Sequence, residues 1–247
     1  MKRFLLPIAC ALLFAACGDD GGKTEPGPVD DGGPPSGIRL LHVHDAAPGG
    51  IDMVLRDRDT SEELRIDGVG HRKASDWAEI PEGIYTLLFF RSGTTDVLPE
   101  LAVEAFNVEP NLAKTVIIGQ SETGDARTIQ LVDDIGDAPA ENHAHLRFVH
   151  MAQAGPIDMY NDADGSRIVT NIGNSQFQPY AEFPATRYDF TLYEEGLKTN
   201  QVAAASQLPL PPASISTVVL VGKADPNGDG DTADSTAELL LLAEYTF

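Results

Sequence analysis

Cysteine is nearly absent. The 247-residue chain has two, Cys10 and Cys17, both close to its N-terminus. Beyond them there is no disulfide framework, no thiolate nucleophile and no cysteine-based zinc site. Basic charge is also scarce, with 17 Lys and Arg against 38 Asp and Glu and a formal charge of −21. So acidic a chain is repelled by nucleic acid and by anionic lipid surfaces, which excludes a nucleic-acid partner but leaves cations and basic partners open. After the N-terminal segment no apolar run reaches transmembrane length, and no long stretch repeats apolar residues at helical spacing. A Gly-x-Ser-x-Gly elbow, a phosphate loop, a dinucleotide fingerprint and a His-Glu-x-x-His helix are all missing.

The N-terminus reads as a delivery signal. Lys2 and Arg3 precede an apolar stretch, Leu5 to Ala16, too short to span a bilayer. Leu13-Phe-Ala-Ala-Cys17 then forms a lipobox, with Phe14 where Leu is usual. Residues 1–16 are therefore expected to be removed as a lipoprotein signal peptide, leaving Cys17 as the lipidated N-terminus. Loss of Lys2 and Arg3 takes the charge from −21 to −23. Gly18 rather than Asp comes after the cysteine, which in a Gram-negative cell favours the outer membrane. Residues 18–37 hold seven Gly and four Pro in twenty positions. Such a composition builds no core, so 17–37 is expected to be a disordered tether reaching about 25 Å.

The remainder of the chain, from residue 38 onward, is repetitive. His44-Asp-Ala-Ala-Pro-Gly-Gly-Ile-Asp-Met53 is matched by His150-Met-Ala-Gln-Ala-Gly-Pro-Ile-Asp-Met159. In both, a His precedes an Asp by eight positions across a Pro/Gly turn. Residues two apart, such as Ile51, Met53 and Leu55, share a strand face. His44 with Asp52, and His150 with Asp158, are thus expected to meet across the turn as a structural motif, or the Asp to accept turn N–H groups. A catalytic reading needs a third group that the spacing does not supply. Trp77-Ala-Glu-Ile-Pro-Glu-Gly-Ile-Tyr85 matches Tyr180-Ala-Glu-Phe-Pro-Ala-Thr-Arg-Tyr188, and Thr115-Val-Ile-Ile-Gly119 matches Val218-Val-Leu-Val-Gly222. The alignment sets Phe148 opposite His42.

These ordered blocks resemble the bacterial domain-of-unknown-function family 4397, twice over, at roughly 38–133 and 145–247. The second copy departs where Thr186 replaces Gly83. The resemblance implies a β-rich extracytoplasmic module and no reaction. Short strand signals separated by Gly, Pro and Asp clusters independently argue for β-sandwiches. The expected architecture is all-β: two tandem Ig-like sandwiches, 38–137 and 138–247. The closing run Leu239-Leu-Leu-Leu242 suits a strand buried on both sides.

Metal chemistry has two candidates. Asp225-Pro-Asn-Gly-Asp-Gly-Asp places Asp225, Asn227 and Asp229 at positions 1, 3 and 5 of a calcium loop, with Gly230 at the turn. Position 12 is Thr236 rather than Glu, and Asp231, Asp234 or Glu238 would have to substitute. A structural Ca2+ is the cofactor to test; the bland alternative is a soluble acidic loop. The other candidate comprises the His-x-His pairs, His42/His44 and His143/His145, which more simply pack on strands. His71, in Gly70-His-Arg-Lys73, is expected in a solvated loop. Together these features suggest a non-catalytic envelope lipoprotein, anchored to membrane by lipid and displaying modules to a protein or glycan partner. The alternatives are a calcium-stabilised adhesin-like module and, with least support, a hydrolase of envelope polymers.

Overall fold

The computed structural model describes residues 37–45, 49–98, 101–110, 112–133, 138–224 and 235–246, all within one compact unit, Gly32–Phe247. Cys17 and the aspartates between Asp225 and Asp234 lie outside the described residues. The first half contains β1 (Gly37–His42), β2 (Ile51–Asp57), β3 (Glu63–Val69), β4 (Lys73–Ala74), β5 (Gly83–Arg91), β6 (Val103–Val108), β7 (Ala113–Gln120) and β8 (Ala126–Asp133). The second contains β9 (His143–His150), β10 (Ile157–Asn161), β11 (Arg167–Ile172), β12 (Gln176–Phe177), β13 (Ala181–Pro184), β14 (Arg187–Glu194), β15 (Gln201–Pro209), β16 (Ser214–Val221) and β17 (Glu238–Thr246). The protein is all-β.

Each half is a two-sheet sandwich, and the strand orders correspond. The first half has sheets β4-β1-β7-β8 and β3-β2-β5-β6; the second has β12-β9-β16-β17 and β11-β10-β14-β15. The strands β1 and β7, and likewise β9 and β16, run parallel. Inside the first sandwich, Ile38 and Leu40 face Ile51, Met53, Leu87 and Phe89. Inside the second, Leu146 and Phe148 face Ile157, Met159, Phe190 and Leu192. Alternation at period two creates these cores.

A third core joins the halves. Leu41, Val43, Ile117 and Leu131 of one inner sheet pack on Val149, Met151, Val219 and Val221 of the other. The order of layers is therefore outer, inner, inner, outer. Every residue of β1, β7 and β16 is buried, because both faces of these strands meet a sheet. The leucine run lies on the edge strand β17 and is only half-buried, with Leu239 and Leu241 packed against the second sandwich and Leu240 and Leu242 against the third core.

Some local expectations need adjustment. Alternation at period two from Leu101 and Val103 would put Ala105 on their face, but Ala105 takes a φ of 58° and is exposed, and Phe106 and Val108 turn inward instead. The register shift between β5 and β6 at this point is a bulge, which re-aims side chains. Replacing Gly83 by Thr186 leaves the turn intact. Tyr85 donates to the Pro81 carbonyl and Tyr188 to that of Pro184, both at 2.9 Å.

The third core has a tight point at Gly119. A Cβ there would lie 2.6 Å from Met151 Cε and 3.0 Å from Met151 Cβ. Gly119→Val is expected to destabilise the protein by about 1–3 kcal/mol through overpacking, read as a lower melting temperature. An unchanged melt would mean that the inner sheets do not pack in this way.

Candidate functional site

The repeated polar residues sit at the mouth of each sandwich, where β1 or β9 ends and the chain crosses to β2 or β10. His150 is fully buried. Its Nδ1 accepts the Ala152 N–H (3.3 Å), so its Nε2 carries the proton donated to the Gly155 carbonyl (3.0 Å). The ring is thus a neutral tautomer pinned by main chain on both sides of the turn. Burial pushes its pKa down to about 4, against a smaller upward push from the Gly155 bond.

The residue playing this part in the first half is His42, not His44. His42 Nε2 donates to the Gly49 carbonyl (3.1 Å), and its Nδ1 accepts the His44 N–H (3.3 Å). His42 pairs with Ile118 and His150 with Leu220, which fixes the equivalence. Phe148 therefore corresponds to Leu40, two residues from the alignment expected for it. The later block slips by one: Thr115 corresponds to Thr217, the two being bonded by equivalent arginines. The first-half turn is two residues longer, and this length difference disguises the register as an apparent His44/His150 match. His44 is itself buried, in the place held by Ala152 in the second half.

The aspartates do correspond, but their partners lie in the next hairpin. Asp52 accepts the Gly68 N–H (2.7 Å) and pairs with Arg65 (2.8 Å). Asp158 accepts the Asn171 N–H (2.9 Å) and pairs with Arg167 (3.3 Å). Burial raises both pKa values, but the N–H donors and the arginine outweigh it and hold both carboxyls below the ordinary value. In the second half the bonds of His150 go to Gly155 and Ala152 and those of Asp158 to Asn171, Gly196 and Arg167, so the expected pair does not meet. The turn N–H groups are not its donors either.

Two buried arginines complete the repeated set and have no counterpart among the residues expected from spacing. Arg39 and Arg147 project from β1 and β9 into the layer between the inner sheets, 4% and 2% exposed. Their Nε groups donate to Thr115 Oγ1 (2.9 Å) and Thr217 Oγ1 (3.1 Å). Their guanidinium carbons lie 4.5 Å from the rings of Trp77 and Tyr180. Arg147 also donates to the Val132 carbonyl of the other half (3.2 Å). An arginine in mid-strand among apolar residues, in both halves, was the available signal.

The basic segment 70–73 is not a solvated loop. The His71 ring lies edge-on to His42 at 5.5 Å, its Nε2 is 2.9 Å from Asp45, and Arg72 bonds Glu238 of the other half. Asn174, the equivalent of His71, donates to the carbonyls of Gln120 and Ala152 and also ties the halves. His143 meets the Glu141 carbonyl, and His145 lies 3.6 Å from Glu182. Among the described residues no group of three or more His, Asp or Glu is arranged to hold a metal.

Protonating His150 costs its Nδ1 acceptor role. Its pKa is lower folded than unfolded, so the unfolded chain binds more protons between about pH 6.5 and 4. Stability is expected to fall by up to about 3 kcal/mol as pH drops through that window, and to level off below it. Chemical denaturation across this range, with His150→Leu as reference, measures the contribution. An equal acid slope in the variant would remove it.

No curated protein matches the chain. Among solved structures the chain is similar, at low scores, to the Bacillus anthracis TIE protein, with 13% identity and a TM-score of 0.26 over 75% of this chain and 34% of that one. A leucine-rich repeat protein from Bacteroides thetaiotaomicron gives 13% identity and a TM-score of 0.22 over 73% and 25% of the two chains. This chain thus spans only about a third or less of either. The family model described as "Domain of unknown function (DUF4397)" matches residues 36–160, from just before β1 through β10. That is half of the sequence, and the chain belongs to this family.

Proposed function

We propose that the protein is a non-catalytic cell-envelope lipoprotein, in which two copies of one sandwich domain are held off a membrane by a lipid on Cys17 and a flexible tether. Its role is binding or structural. The observation that carries this reading is the use made of the repeated polar residues. His42, His150, Asp52, Asp158, Arg39 and Arg147 all hold main chain, a neighbouring hydroxyl or a partner charge. What the two halves share thus serves construction. The corresponding strand orders support treating 138–247 as a second copy of the family domain. The lipobox and the Gly/Pro-rich segment support the anchor, and the Gly18 position favours the outer membrane of a Gram-negative cell.

A second reading, a calcium-stabilised adhesin-like module, is favoured by the alternating oxygen ligands Asp225, Asn227, Asp229, Asp231 and Asp234. Such a site would pin a loop whose charges repel one another.

Expression in a Gram-negative host tests the anchor. Mass spectrometry of the membrane fraction is expected to find a fatty-acylated Cys17, and Cys17→Ala to move the chain to the soluble fraction; a wild-type chain without fatty acid would end the lipoprotein reading. For the second reading, millimolar calcium is expected to raise the melting temperature by mass action, and the rise to vanish in Asp225→Ala/Asp229→Ala. A melt indifferent to calcium retires it.

A further inference from the structure

The same crevice occurs in both halves, with different linings. It lies at the open side of each sandwich, between the edge strand of the outer sheet (β3 or β11) and the segment at the edge of the inner sheet (β4 or β12). In the second half it is about 30 Å³ in volume, closed over Phe148, Met159, Ile168 and Phe183. In the first half it is a groove of about 430 Å³. Strand registers give the residue equivalences: Met53 faces Ile66 as Met159 faces Val169, and Ile38 bridges Ala78 as Leu146 pairs with Ala181. Ser75 and Asp76 consequently stand where the second half has Gln178 and Pro179, whereas Arg65 corresponds to Arg167, and Ile168 is the extra residue at the register shift between β10 and β11. The extra Ile168 helps to fill the crevice of the second half, and in the first half Asp76 puts a charge where the second has a proline.

We propose that this groove is a binding site for a neutral oligosaccharide. The assignment deepens the display reading above and rests on it. The charges in the lining cancel, Arg65 and Lys73 against Asp67 and Asp76, in a chain that is otherwise strongly acidic. A ligand of either sign gains no net field there. Arg65 is already committed to Asp52 and Asp67. The Lys73 ammonium and the Asp76 carboxylate have no protein partner among the described residues, so a donor and an acceptor stand ready beside Ser75 and the main chain of Gly68 and Gly70. Trp77 closes the set, its indole held against the buried Arg39 guanidinium. Few polar groups converging on a preformed groove with an aromatic is how proteins orient polyhydroxylated ligands. An extended peptide adding to β3 is disfavoured. Gly68 sits at φ +65° beside a register shift, and Glu63, Arg65 and Asp67 are exposed along the strand; bulges and charges guard edges against strand addition.

Trp77 is the only tryptophan of the chain, so tryptophan emission and the indole N–H resonance report on this groove. The full chain is titrated with cellohexaose, maltohexaose, mannohexaose and tetra-N-acetylchitotetraose, and separately with a decapeptide of alternating Thr and Val. At least one saccharide is expected to shift both signals saturably, with affinity at least about tenfold weaker in Lys73→Ala and Asp76→Ala, the scale of one lost charged hydrogen bond. Both variants change exposed side chains, and an unchanged melt verifies their folding. Silence of Trp77 towards every saccharide, or a response to the peptide alone, overturns the proposal and leaves the lipid anchor standing. Chromatography of the bound saccharide separates the two readings: intact sugar agrees with both, whereas cleaved sugar keeps the groove and defeats the non-catalytic role.

Discussion

Burial of the inner sheets on both faces is the constraint on which the rest of the molecule depends. Two sandwiches joined only by a linker would each expose one sheet face to water. Here those faces form a third apolar core, in which Leu41, Val43 and Ile117 meet Val149, Met151 and Val219. A strand so placed has no solvent side on which to put polar residues, so β1, β7 and β16 are buried along their whole length. Polar groups that must cross this layer need partners within it. Arg39 and Arg147 find them in threonine hydroxyls and aromatic rings, because an unpaired charge at that depth would cost several kcal/mol.

The same requirement governs the turns. A chain leaving one sheet for the other exposes main-chain groups at a point where water is excluded, and His42 and His150 satisfy them from both ring nitrogens. Asp52 and Asp158 perform the same service for the neighbouring hairpins. Residue types that elsewhere suggest acid–base chemistry are here the mortar of a β-fold, and their recurrence in both halves reflects the repeated geometry.

Differences between the halves carry more functional information than the similarities. The two seam ties are unlike, an ion pair of Arg72 with Glu238 and a hydrogen bond from Asn174 to the Gln120 carbonyl. The edge crevice is filled by apolar side chains in one half and left open and polar in the other.

The all-β class, the strand boundaries at Gly, Pro and Asp clusters, and the order of the repeated blocks were legible from the sequence alone, because strand periodicity and turn chemistry are local. The leucine run also announced a strand packed on both sides. Register was decided only by the tertiary structure. A two-residue difference in turn length made His44 align with His150, whereas hydrogen bonding to the neighbouring strand selects His42. Nor could spacing reveal what Arg39 touches, why His71 is packed, or that Asp158 looks to Asn171 and Arg167. Those partners come from other strands and other turns, and sequence separation carries no information about which sheet edge or face will be brought alongside.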